Sequence, residues 1–198
     1  SITLDKLRNP AVQDVYEPGS TGKVITVAAA MEEGLITPES VFTIPYKMKV
    51  ADEYFHDHEK HPTQRLTTTG LLAVSSNTGS IQIGQKLGKD RLYEYLRKFG
   101  IGQSTNSKLP GESAGSLLQV KDWSGTSLPT FAFGQGYSLT AMQTTSVFAT
   151  IANNGVRVSP SILAGVVDEN GKYTQAKENP SVRVLSEQTS QNMRAMME

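Results

Sequence analysis

The 198-residue sequence has no cysteine, which excludes a disulfide framework, a thiolate zinc site and a cysteine nucleophile. Chemistry on this chain therefore falls to hydroxyl, amine, carboxylate or imidazole groups. An absence of cysteine also suits an extracytoplasmic bacterial protein. Neither sign of charge is in excess, with 19 Lys plus Arg against 19 Asp plus Glu. That balance, and the lack of any Lys/Arg run, leaves no footprint for nucleic acid. No apolar stretch reaches the roughly 18 residues that span a bilayer. No positively charged leader with a small-residue cleavage site opens the sequence. What is present is ordinary globular material. Hydrophobic residues make up 37% of the chain, enough to exclude the disordered class. The length predicts one domain, or most of one.

Residues 1–18 read as an irregular entry closed by Glu17-Pro18-Gly19. Ser20 is placed to cap a helix over 20–33, with Val24, Val27, Ala28 and Met31 on one apolar stripe and Gly34 as its stop. Residues 41–62 are polar, aromatic and aperiodic, and read as a surface excursion. A short buried helix is predicted over 66–74, running into Ser75-Ser76-Asn77. Two more follow at 81–87 and 90–99, the second marked by Leu92, Tyr95, Leu96 and Phe99. Residues 102–129 are rich in Gly, Ser and Pro and read as a long loop anchored by Trp123. Another helix is predicted over 140–152. Strands are expected at 156–158 and 162–167, with Glu169-Asn170-Gly171 turning into a third near Tyr173. Ser186 is placed to cap a final helix.

Two short patterns carry chemistry. In Ser20-Thr21-Gly22-Lys23 the serine and lysine stand at i and i+3 of a helix, so the amine can reach the hydroxyl. A serine hydroxyl is a poor nucleophile until a base takes its proton, and a neutral lysine can do so. Burial lowers a lysine pKa toward that state. A helix start adds backbone N–H groups that favour a developing oxyanion. Ser75-Ser76-Asn77 is the second pattern. Ser-x-Asn also occurs at Ser104 and Ser190, but only Ser75 follows a buried apolar segment that could present its hydroxyl and the Asn77 amide at a cleft.

The run from Tyr16 to Thr26 resembles the nucleophile segment of penicillin-binding proteins, in particular the class B monofunctional transpeptidases of actinobacterial type, and Ser75-Ser76-Asn77 resembles their second motif. Pro110-Gly111-Glu112, Trp123-Ser124-Gly125-Thr126, the run from Ala132 to Thr140, and the run from Ile151 to Val156 are similar to further stretches of that family. The resemblance implies a mixed α/β transpeptidase fold, shared with serine β-lactamases, with a helical region and part of an antiparallel sheet. It implies a peptidoglycan D,D-transpeptidase in which Ser20 is the nucleophile and Lys23 its base. Ser75 would relay a proton, while Asn77 would hold both the substrate amide and Lys23. Ser76, Gln135, Gly136 and Tyr137 are implied at the substrate. No metal or organic cofactor is implied. The implied partners are peptidoglycan stem peptides, β-lactams and, from the family alone, membrane proteins of division or elongation. The implied location is the extracytoplasmic face of the cell membrane, with an anchoring segment outside this chain.

Two departures accompany the resemblance. Gly22 stands where the family usually has a bulky residue, often Phe. No Lys-Thr-Gly or Lys-Ser-Gly occurs in these 198 residues, so residues 1–198 are expected to be one partial domain ending before the third motif, whose strand would supply a second oxyanion donor.

Other readings of the same residues are a serine β-lactamase, with Glu94 or Glu112 activating water, a non-catalytic β-lactam sensor, and a degenerate scaffold domain. A phosphate-binding loop is excluded, because Glu17 and Val24 occupy places that require Gly and Ser or Thr. The histidines, all within Phe55-His56-Asp57-His58-Glu59-Lys60-His61, read as a solvated polar loop rather than a zinc site.

Overall fold

In a computed structural model, residues 8–177 and 179–198 are described, so residues 1–7 of the expected entry segment lie outside them. The chain packs eight helices and four two-stranded antiparallel sheets within those residues. Helix α1 (Pro10–Gln13) lies inside the expected irregular entry, capped by the Asn9 side chain with Pro10 in its first turn. A 3-10 turn, Gly19–Gly22, leads directly into α2 (Lys23–Glu32). Every residue from Lys23 to Met31 is buried, which makes α2 the axis of the fold. Around it stand α4 (Asn77–Leu87), α5 (Lys89–Lys98) and α8 (Glu187–Met197).

Small side chains set those approaches. A Cβ at Gly84 of α4 would lie 2.6 Å from the Ala132 Cβ on α6 (Ser127–Ala132). Thr26 of α2 donates its hydroxyl to the Ala132 carbonyl at 2.9 Å. Helix α7 (Ala141–Ala152) begins in a full capping box. The Thr140 Oγ1 accepts from the Gln143 N–H, and the Gln143 side chain accepts from the Thr140 N–H. The Gln143 amide also ties α7 to the carbonyls of Gln103 and Ala114, which anchors the long loop. Trp123 anchors it from the other side, its ring 4.5 Å from that of Phe131.

The expected surface excursion at 41–62 is ordered. It contains β1 (Val41–Ile44), β2 (Lys47–Val50) and β3 (Glu53–His56). Strand β1 pairs with β4 (Gln64–Thr67), and β2 with β3. The expected helix at 66–74 is accordingly shorter: Thr67 ends β4 and caps α3 (Thr68–Ala73) through its Oγ1. Four-residue strands, with half their side chains exposed, are too short to show a period in sequence. Toward the end of the chain β5 (Val156–Val158) pairs with β8 (Ser181–Arg183), a strand with no sequence signal. Strands β6 (Gly165–Val167) and β7 (Tyr173–Gln175) form the hairpin that Asn170-Gly171 announces. Ser186 caps α8.

Candidate active site

Ser20 sits on a turn that only glycine-rich backbone can make. Gly19 has φ +54, in the left-handed region, and its N–H donates to the Gly134 carbonyl at 2.8 Å. Gly134 is at φ +92, and a Cβ there would fall 1.9 Å from the Gly19 carbonyl oxygen. Glu17 accepts the Gly136 N–H at 2.9 Å, and Tyr16 exchanges two main-chain bonds with Leu139. The strand-like segment before the Ser20 turn is thus stitched to residues 134–139. Ser20 does not cap the helix as the sequence suggested: it lies inside the 3-10 turn, which leaves its side chain free of the backbone.

Its Oγ accepts from Lys23 Nζ at 3.2 Å and from Ser75 Oγ at 2.8 Å. The same amine donates to Ser75 Oγ at 3.0 Å and to the Ser75 carbonyl. Two hydroxyls and one amine therefore form a closed triangle. Lys23 is 1% exposed, and burial pushes its pKa down from 10.5 to about 8, against the pull of the Asp57 charge. Near neutral pH a useful fraction of this lysine is a free base.

Ser75 reaches the triangle through strain. It occupies φ +56 at the junction of α3 and α4, a conformation that costs a non-glycine residue about 1 kcal/mol or more. The next residue, Ser76, caps α4, accepting the Gly79 N–H at 2.9 Å. Ser76 was expected at the substrate; at 1% exposure it faces inward and donates to Asp57 Oδ2 at 2.8 Å. Asn77 does lie in the cleft, but its amide donates to the His56 carbonyl at 3.0 Å. The bonds of Lys23 run to Ser20 and Ser75 instead.

Ser20, Ser75 and Asn77 line one open cleft of about 880 Å3, closed by Phe133 and Gln135 on one side and by residues 54–61 on the other. Gln135, expected at the substrate, lines this cleft. Gly136 is occupied with Glu17, and Tyr137 is buried behind the turn with its ring against Phe131. Its hydroxyl has no hydrogen-bond partner among the described residues, and a Cβ on Gly22 would stand 2.5 Å from that oxygen.

The residue that sequence reasoning missed is Asp57. In a run of histidines and charges it read as solvated, yet it is 6% exposed. Oδ1 accepts the Thr78 N–H at 2.9 Å, and Oδ2 accepts from Ser76 Oγ and, at 3.0 Å, from His61 Nε2. Burial alone would push this carboxyl up; the hydrogen bonds from Thr78, His61, Ser76 and Asn77 hold it below the ordinary range. The Pro62 carbonyl and Asp57 in turn raise the pKa of His61. Within the described residues no group of three His, Asp or Glu side chains is arranged to hold a metal ion.

Neither glutamate considered as a water activator lines the cleft. Glu94 is paired with Arg91 and Lys98 on α5. Glu112 accepts from Ser104, Thr105 and Ser107.

A helical region beside short antiparallel strands, with Ser-x-x-Lys beside Ser-x-Asn at a cleft, is the arrangement shared by penicillin-binding proteins and serine β-lactamases. The chain belongs to the penicillin-binding protein transpeptidase domain family, whose profile matches residues 2–198. It is 40% identical over 191 residues to penicillin-binding protein PbpB of Mycolicibacterium smegmatis, which covers 96% of this chain and 30% of that protein. It is 36% identical over 156 residues to the peptidoglycan D,D-transpeptidase FtsI of Escherichia coli, covering 77% of this chain and 25% of that one. The crystal structure of penicillin-binding protein 3 from Mycobacterium tuberculosis complexed with aztreonam superposes with a TM-score of 0.93 at 40% identity, covering 95% of this chain and 42% of that one. The chain thus spans less than a third of the length of these curated relatives.

Proposed function

We propose that residues 1–198 are part of one transpeptidase domain, and that the protein carrying it is a peptidoglycan D,D-transpeptidase working through a serine acyl-enzyme. The observation that carries this reading is the triangle of Ser20 Oγ, Lys23 Nζ and Ser75 Oγ, with bonds of 2.8–3.2 Å. Neutral Lys23 takes the Ser20 proton as Oγ adds to the carbonyl of the penultimate D-Ala of a stem peptide. The Ser20 N–H, at the start of the turn into α2, donates to the oxyanion. Collapse breaks the C–N bond, and the lysine proton passes through Ser75 to the departing D-Ala nitrogen. Asn77 is placed to bond the substrate amide, and Gln135 to line the donor strand of substrate. An amine from a neighbouring stem peptide then adds to the ester, gives up a proton, and releases Ser20. A β-lactam enters by the same attack on its ring amide. Its nitrogen stays tethered after ring opening, so the acyl-enzyme persists.

Supporting transpeptidation over hydrolysis, Glu94 and Glu112 are engaged elsewhere, and the buried Asp57 is fully bonded within the protein. The substrate lies outside the cytoplasmic membrane, so the domain works on the extracytoplasmic face. No helix among the described residues is long and apolar enough to cross a membrane. Anchoring, and contact with division or elongation proteins, would fall to other parts of the protein. The test is intact-protein mass spectrometry before and after benzylpenicillin. We expect one adduct, mapped to Ser20 and absent in Ser20→Ala at a near-unchanged melting temperature. Stable labelling of Ser20→Ala would remove the nucleophile assignment.

A further inference from the structure

The wall of the cleft and the second motif meet at one carboxylate. Asp57 follows β3 and points away from solvent, into the N-terminus of α4. Its main chain is fixed too, the N–H donating to the Tyr46 carbonyl at 2.9 Å and the carbonyl accepting from His56 Nδ1 at 2.8 Å. Its side chain then takes Thr78 N–H and Ser76 Oγ, the residues on either side of Asn77. His56, the neighbour of Asp57, holds the Asn77 amide through its carbonyl. Thr78 Oγ1 reaches the Pro45 carbonyl at 2.8 Å, so the loop between β1 and β2 joins the same knot. The strained Ser75 directly precedes this knot, and nothing in its own backbone preference would keep it at φ +56.

We propose that Asp57 is a positioning residue of the acylating site: its buried carboxylate locks the cleft wall onto the start of α4, holds Ser75 and Asn77 in place, and sets the charge environment of Lys23. This rests on the transpeptidase reading above and deepens it. Asp57 touches no reacting atom; it acts through Ser76 and Thr78 on geometry, and across space on the Lys23 amine.

The two effects have separate signatures. Burial favours the neutral form of Lys23 and outweighs Asp57, which opposes it. The other titratable groups around the cleft are Tyr54, His56, His58, Glu59, Lys60 and His61. Of these, His61 is bonded to Asp57 itself. Losing the Asp57 charge frees the neutral amine at lower pH, so the rising limb of acylation against pH moves toward acid. Losing the anchor leaves Ser75 loose and lowers the plateau, because a misplacement of about 1 Å costs on the order of a hundred-fold.

The experiment is the second-order rate constant for acylation by benzylpenicillin, from neutral to alkaline pH, on the full-length protein and its Asp57→Asn and Asp57→Ala variants. Asn preserves the shape and the acceptor for Thr78 N–H, and its amide can face neutral His61. For Asp57→Asn we expect the limb to move toward acid with the plateau within several-fold of wild type. For Asp57→Ala we expect the same move and a plateau lowered about ten- to a hundred-fold. Acylated wild type with an unmoved limb in Asp57→Asn overturns the proposal. So does a wild-type plateau in Asp57→Ala. If wild type itself is not acylated, the transpeptidase reading fails and takes this inference with it.

Discussion

Helix α2 and the β6–β7 hairpin treat apolar side chains in opposite ways. In α2 nine consecutive residues are buried, from Lys23 through Met31, and the small Ala28, Ala29 and Ala30 let the surrounding helices approach closely. In the hairpin, Val166, Val167 and Tyr173 leave more than half of their surface in solvent, and each strand pairs only with the other. One element has its environment built around it on every side; the other is held by its turn and six paired residues. The proposed base, Lys23, stands on the first. A lysine can be kept near neutrality only where water is excluded and the burial is rigid, and α2 supplies both.

That contrast is open to attack, first at Lys23. Lys23→Ala should slow β-lactam acylation by several orders of magnitude, the scale of losing the general base together with its hold on the nucleophile. Stopped-flow acylation checks this, and wild-type rates would remove Lys23 as the base. The second attack is at the entrance to α2. Adding a Cβ at Gly22 presses on the Tyr137 hydroxyl, so Gly22→Ala should cost about 1–3 kcal/mol. Tyr137→Phe removes a buried hydroxyl that has no partner among the described residues, and should be neutral or stabilising by about 1 kcal/mol. In the Tyr137→Phe background the cost of Gly22→Ala should fall, the remainder coming from Gly134 Cα at 3.0 Å and Pro18 Cγ at 3.1 Å from the added Cβ. Thermal melts of the four proteins form a double-mutant cycle, and additive effects would refute the contact. The smallest effect belongs to the hairpin. Val167→Thr should change stability by no more than about 0.5 kcal/mol, and a clearly larger loss in denaturant melts would mean that this face is covered in the folded protein.

The same contrast explains what could be read from sequence. Local devices were legible: the Leu92, Tyr95, Leu96 and Phe99 stripe of α5, Ser186 as a cap, and the Asn170-Gly171 turn. The Ser20–Lys23 pair was legible because three residues of helix bring the two side chains together. Ser75 and Asn77 came through family resemblance, since no local rule brings residue 75 to residue 20. What the sequence hid was long-range. Strands β1, β2 and β3 are four residues each, and their pairing rather than their pattern defines them. Asp57 looked solvated because its neighbours are polar, and only the fold turns its carboxylate toward Ser76 and Thr78. Tyr137 sits within the family-like run, but only the fold brings its hydroxyl up against Gly22 and its ring against Phe131.

The left-handed backbone of Ser75 has one more consequence. Glycine is the residue that this backbone conformation would accept without strain, and glycine has no hydroxyl to offer Ser20 and Lys23. On the proposed mechanism, selection for thermal robustness and selection for turnover therefore pull this one position in opposite directions. A laboratory search that rewards only heat resistance would be expected to discard the serine, and the survivors would be sturdier proteins without the proposed proton relay.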